Sequence, residues 1–532
     1  MKKKFFLMFT LATMIFAACN NDIISNGDDD IVTDPKGDAW VALKVITPST
    51  PSTRGLNNPN QENGSAEESK IKSIRAIFFT MDADPIVTAD MELRNEEAGI
   101  TDDGRPTGNP GNAFTVPATS KRILLVANPS ENFPHLNNTV GKKYSDINAA
   151  ITEDVGNISS IEGFMMTNAK GGLEPSLEGG EDTELKLYKT VEAANRSPLS
   201  VKIDRVVAKV RVNIETNTEA PAIIDLNNGG WALNVTNTKY FPVSERVATW
   251  YELNGGGFRA PFDQYKLGSY RRDPNYDSQN GSLDYHYINE FNVTGDEWLG
   301  NHESKYCFEN TQDAPYNMHA YTTHVLFKIK FIPAEYKLPD SDTPVMNQES
   351  NGDWMLINGG YYTFTTLMNW IEAELTYKFS QEDPSIVPTA LTNAFNRYLG
   401  PEGIGIGEVE LPNNAGDIAT TMSAFADTKE KIIQSGPNRA RSVGNLTYYA
   451  EATCYYKAII KHDDTKDAIN ELGEFGVVRN SVYDINVTKF NSPGYPTIPE
   501  PGTNEPDEEE GNWLSVQINV NPWTWYSQEE EF

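Results

Sequence analysis

Apolar residues at every second position, near both ends of the chain, most narrow its choice of fold. Trp40-Val41-Ala42-Leu43-Lys44-Val45 alternates behind a tryptophan. Trp513-Leu514-Ser515-Val516-Gln517-Ile518 repeats that alternation in the same register, and Val520 continues it. A strand has a side-chain period of two, so Val41, Leu43 and Val45 are expected on one face. Leu514, Val516, Ile518 and Val520 are expected on an equivalent face. Two segments able to fill one slot in a sheet suggest that one replaces the other. Short alternating runs are also common in any β protein, so on pattern alone coincidence stands as the alternative.

The interior reads the same way. Lys/Glu/Ala-rich heptads are absent, while Val, Ile, Thr, Tyr and Phe runs punctuated by Gly, Pro and Asn recur, which points to an all-β sandwich class. Compact strand-forming runs occupy 71–80 and 122–126. The alternating stretch 201–214 is read as the last strand of a first domain, with the boundary at 216–221. Further strands are expected at 231–235, 323–331, 361–367, 446–461 and 477–490, and short helices at 368–377 and 417–433. With 532 residues there is room for two or three domains.

The N-terminus reads as a sorting signal. Lys2, Lys3 and Lys4 precede an apolar run, Phe5 to Phe16, that is too short to remain as a spanning helix. Phe16-Ala17-Ala18-Cys19 looks like a bacterial lipobox in which Cys19 is diacylated, so the mature chain is expected to be exported and tethered by lipid. Residues 20–35, rich in Asn, Asp and Gly, read as a leash. After Val45 comes a loop of Ser, Thr and Pro that carries Arg54-Gly55. Arg54 is the only basic residue between Lys44 and Lys70, where an arginine-specific protease would find an extended substrate. A loop arginine with no role is the competing reading. Residues 491–512, rich in Pro, Gly and acid, read as a flexible linker that reaches about 65 Å if extended like polyproline.

Little in the chain suggests catalysis. The formal charge of −31 argues against a nucleic-acid partner, because phosphate binding needs basic stripes. Six histidines are scattered without metal-ligand spacing, so no metal and no cofactor are expected. Once Cys19 is assigned to lipid, Cys307 and Cys454 remain, either as a disulfide that export would permit or as buried thiols.

The ordered sum of these features resembles the Bacteroidales fimbrillins, the lipoprotein-derived type V pilins, and most closely the major subunit of the minor (short) fimbriae. The resemblance rests on the Cys19 lipobox, the Arg54-Gly55 site, Ile71-Lys72-Ser73-Ile74-Arg75-Ala76-Ile77-Phe78-Phe79 and Leu125-Val126-Ala127-Asn128-Pro129. It also rests on Arg205 to Val210, Tyr306 to Thr311, Gly476 to Asn480 and the segment from Trp513 through Val520 to Trp523. The acidic ending Glu529-Glu530-Glu531 departs from what a groove would accept.

The resemblance implies a mainly β chain of two transthyretin-like Greek-key β-sandwich domains, a C-terminal donor strand and a few short helices. The expected division is a lipoprotein signal peptide at 1–19, a leash and removable first strand at 20–54, sandwich domains at 55–218 and 219–490, the linker at 491–512 and the donor strand at 513–532. It implies no enzyme, but a surface fimbrial subunit that is trimmed after Arg54 and polymerised by strand exchange, supporting adhesion and biofilm formation. Its partners would be other copies of itself, related anchor and tip subunits, outer-membrane lipid through Cys19, an arginine-specific protease and a host or bacterial surface ligand. Presence of a donor strand favours a stalk over a tip subunit. The alternative is a non-polymerising surface lipoprotein that binds glycan or host protein, supported by the aromatic-rich stretch 240–306; an enzyme acting on surface glycans ranks third.

Overall fold

Alternation of buried and more exposed residues marks strands such as Leu43–Ile46 and Val207–Ile214. The computed structural model describes residues 30–47, 64–175, 184–215, 222–247, 270–277, 283–338, 341–346, 352, 354–357, 359–363, 442–443, 446–463, 470–503, 505–507 and 514–522. The fold is mainly β, with four short α-helices among the described residues.

Two large apolar cores organise the strands. The first lies on a six-stranded sheet ordered Leu43–Ile46, Leu199–Arg205, Met166–Asn168, Arg122–Ala127, Ile74–Phe79 and Val87–Glu92. Ile74–Phe79 and Arg122–Ala127 are buried at every position, as central strands covered on both faces must be. Leu43, Ile77, Leu124, Val201 and Ile203 meet in this core, each essentially inaccessible to solvent.

The second core is enclosed by two main sheets. One is ordered Ser304–Phe308, Val207–Ile214, Ser481–Phe490 and Leu514–Pro522. The other is an antiparallel sheet of Ala222–Asn234, His324–Pro333 and Thr453–Ile459. Val210, Val212, Trp231, Phe327, Tyr456, Tyr483 and Ile485 fill the space between them.

The stretch 201–214 is not one strand ending a first domain. It breaks at Val206, with Leu199–Arg205 in the first sheet and Val207–Ile214 in the second, so the chain passes between cores about ten residues before the expected boundary at 216–221. The cause is a change of phase. Val201 and Ile203 point apolar side chains at odd positions, whereas Ala208, Val210, Val212 and Ile214 do so at even ones. Arg205, fully buried beside the break, donates to the Glu68 carbonyl, to Ser69 Oγ and to Asn480 Oδ1, which ties the two units together. The expected run at 446–461 also divides, into Leu446–Tyr449 and Thr453–Ile459 around a turn. The helices expected at 368–377 and 417–433 lie outside the described residues.

Candidate functional site

Both terminal alternating segments occupy outermost positions in their sheets. The leading segment, Asp38 to Ile46, serves two sheets in turn. Asp38–Val41 pairs antiparallel with Phe114–Pro117, and Leu43–Ile46 then pairs parallel with Leu199–Arg205. Trp40 also exchanges two backbone hydrogen bonds with Tyr188, each 2.8 Å. Ala39, Val41, Leu43 and Val45 point into the first core, and Ala42 turns the other way onto Tyr188, Ala193 and Ala194. Trp40 lies half-buried against that smaller cluster. Leu43 is 0% exposed, so the segment is a structural part of the first core.

The closing strand, Leu514–Pro522, pairs antiparallel with Ser481–Phe490 of its own chain, with Val516 opposite Val487, Ile518 opposite Ile485 and Val520 opposite Tyr483. Val520 is buried and Val516 and Ile518 are half-buried against the second core, while Gln517 and Asn519 are exposed. On the outer face the Asn521 amide donates to Asp484 Oδ2 at 2.8 Å, and Arg211 grips the same carboxylate with two hydrogen bonds of 2.6 and 2.8 Å. Leu514 is placed by its backbone pairing with Phe490. Trp513 and Trp523 lie outside the described residues, as do Cys19, Arg54 and Gly55.

The closing strand is paired on one side, whereas the leading segment is also bonded on its far side, Trp40 to Tyr188 and the Gly111 amide to the Leu43 carbonyl, so its removal breaks those bonds as well as its ladders.

The described part of the segment expected as a flexible linker, residues 491–503 and 505–507, is docked. Tyr495 and Tyr455 exchange backbone hydrogen bonds of 2.7 and 2.8 Å, Ile498 is buried beside Ile288 and Leu326, and Asp507 is fully buried. Gly494 lies so close to the backbone of Tyr455 that a Cβ there would sit 2.1 Å from its carbonyl oxygen. Proline and acid in the sequence signalled an extended backbone, but apolar and polar side chains on the second unit give that backbone partners.

The disulfide considered for Cys307 and Cys454 is absent. Both are free, buried thiols, one on Ser304–Phe308 and the other on Thr453–Ile459, in different sheets facing the same core. Burial pushes the Cys307 thiol up to about 12 and raises that of Cys454 as well, so neither is a ready nucleophile. Among the described residues no group of His, Cys, Asp and Glu is arranged to hold a metal ion. Of the aromatic stretch 240–306, Tyr240, Tyr270, Tyr276 and Tyr285 are buried and serve packing, which withdraws them from any display surface.

Sequence reasoning missed the polar joint between the units. Glu68 accepts from Lys209 Nζ and Tyr306 Oη, both at 2.7 Å. Arg479 pairs with the fully buried Glu309. Isolated acidic residues among 75 carry no signal of burial, so although Glu309 and Arg479 fall within the Tyr306–Thr311 and Gly476–Asn480 motifs, their pairing could not be read from them.

Comparison with known families supports the class of fimbrial structural subunits for this mainly β chain. Residues 39–185 match the major fimbrial subunit protein (FimA) family, and residues 447–529 match the C-terminal region of the fimbrillins, major fimbrial subunit protein type IV. The first match begins on the leading segment and the second takes in the closing strand. Over these two stretches, which together take in fewer than half of its residues, the chain is similar to the fimbrillins. None of the curated proteins compared with the sequence gives a significant match. Among solved structures, a fimbrilin from Porphyromonas gingivalis W83 is 14% identical, with 92% of this chain and 99% of that one covered and a TM-score of 0.38. The tip fimbrial protein Mfa3 of Porphyromonas gingivalis, with C-terminal truncation, is 12% identical over 92% and 100%, with a TM-score of 0.34.

Proposed function

We propose that this subunit is exported as a lipoprotein acylated on Cys19, cut between Arg54 and Gly55 by an arginine-specific protease, and polymerised by strand exchange into a surface fimbrium that supports adhesion and biofilm formation. In the filament the closing strand of one copy takes the place of the leading segment of the next. The observation that carries this reading is the shared edge placement of two segments with the same apolar alternation, one in each core.

The energetics favour exchange only after the cut. Val41, Leu43 and Val45 together contribute about 4–9 kcal/mol of burial. Val516, Ile518 and Val520 offer a similar amount, so side chains alone give little net drive. Before cleavage the leading segment is tethered beside its slot at high effective concentration; after it, that advantage is lost and the released peptide dilutes away. A head-to-tail contact that does not close on itself then extends into a filament. Anchor and tip subunits would terminate it, and outer-membrane lipid holds the precursor before trimming.

The test is treatment of purified precursor with an arginine-specific protease. Ladders on a denaturing gel that disappear when residues 513–532 are deleted support the proposal. A trimmed product that stays monomeric and binds glycan would favour the non-polymerising binder instead.

A further inference from the structure

The docked segment from Asn491 to Asp507 lies between Ser481–Phe490 and the closing strand, and its contacts do more than shorten a loop. At one end Tyr495 is paired to Tyr455 through two backbone hydrogen bonds. In the middle Ile498 plugs an apolar cluster with Ala232, Ile288 and Leu326. At the far end sits a polar buckle. Glu505 Oε2 lies 2.9 Å from His319 Nδ1 and 3.6 Å from Lys457 Nζ, and the same ammonium is 2.6 Å from the His319 ring nitrogen. Next to it the Gln312 amide donates to Thr322 Oγ1 at 2.6 Å, and that hydroxyl donates to the buried Asp507 carboxylate. Backbone bonds from His319 to the Glu505 carbonyl and from Asp507 to the Asn317 carbonyl close the buckle.

We infer that residues 491–507 are a strap that keeps the closing strand on its own subunit, with Glu505 and Asp507 as its buckle, so that donation has its own gate separate from cleavage at Arg54. Chain length supplies the reason. With the strap docked, only residues 508–513 connect Asp507 to the strand, a reach of about 20 Å at full extension. With the strap released, residues 491–513 connect it to Phe490 and reach about 75 Å. A domain of this size is about 40 Å across. A strand bound for another protomer's first core needs the longer tether.

The consequence for assembly rests on the strand-exchange reading, whereas the strap itself can be measured in the uncut monomer. Two variants of the full chain test it. In the first, Glu505→Gln with Asp507→Asn, hydrogen exchange of the Leu514–Pro522 amides is expected to rise about tenfold while Ile74–Phe79 is unchanged. Unchanged exchange in Leu514–Pro522 would overturn the inference, whatever the protein does after trimming. In the second, Met318→Cys with Pro506→Cys staples the buckle end of the strap, because these two residues face each other as an antiparallel pair and such a pair spans about 4.5–5.5 Å between Cα atoms, within disulfide range. The oxidised, trimmed protein is expected to assemble at least about tenfold more slowly than the same protein after reduction. Equal rates in the two redox states would also overturn it.

Discussion

Replacing Leu43 with alanine distinguishes a permanent core strand from a removable one. Leu43 is 0% exposed and packs in the first core, beside Val41 and Val45 on the segment and opposite Leu199 in the register. Truncating such a side chain removes its transfer free energy and leaves a cavity, at a cost of about 3–4 kcal/mol. For a unit of this size that lowers Tm by about 6–15 °C. The effect is expected in the uncut precursor only. Once the segment has been released and its place taken by another copy's closing strand, residue 43 is no longer in the fold, so the assembled variant should melt with the wild type. Val201→Ala is the control: Val201 is equally buried and faces Val45 in the register, but it stays through trimming. Its cost of about 2 kcal/mol should appear in both states. Calorimetry of precursor and trimmed filament, for the two variants and the wild type, supplies the comparison. If Leu43→Ala costs as much after trimming as before, the leading segment has not left and the replacement argument fails.

Three further outcomes are expected. Arg54→Ala should give a folded precursor that stays monomeric on gel filtration after protease treatment, and filaments of normal length from it would move the cut elsewhere. Ile518→Asp places a charge on the core-facing side of the closing strand, where the parent sheet leaves Ile518 only half-buried. The trimmed variant should still accept a wild-type strand while failing to donate its own, which mixing experiments on a denaturing gel would read. Glu68 presents an acid-dependent joint: burial pushes its pKa up, but hydrogen bonds from Lys209 and Tyr306 outweigh this and leave it below 4.5. A depressed carboxyl contributes stability that is complete above its unfolded value and is lost as pH falls through the folded one. Thermal stability should therefore drop below about pH 4.5, and Glu68→Gln should cost about 3 kcal/mol at neutral pH while flattening that acid dependence.

Much of the candidate site could be read in advance because strand side chains alternate with period two. Val41, Leu43 and Val45 face one core together, and Val516, Ile518 and Val520 share a face, for the same local reason. The shift between odd and even apolar positions after Ile203 was present in the sequence as well, and would have placed the crossing at Val206 had alternation been followed residue by residue. The strap was not readable in this way. Proline, glycine and acid describe a backbone without regular structure, and they do not say whether Tyr455, His319 or Thr322 waits alongside it. The same holds for Glu68, whose partners Lys209 and Tyr306 lie 141 and 238 residues away.

By itself the sequence determined a mainly β chain, the faces of its strands, the two matching terminal segments and a strongly acidic composition. Tertiary structure alone decided that the leading strand runs parallel to Leu199–Arg205, that the closing strand lies antiparallel on its own second unit, and that the segment between is buckled down. Side-chain period is a property of the local backbone and survives in any context. Pairing partners are chosen by competition among sheet edges far apart in sequence, and that contest is settled only when the cores have formed.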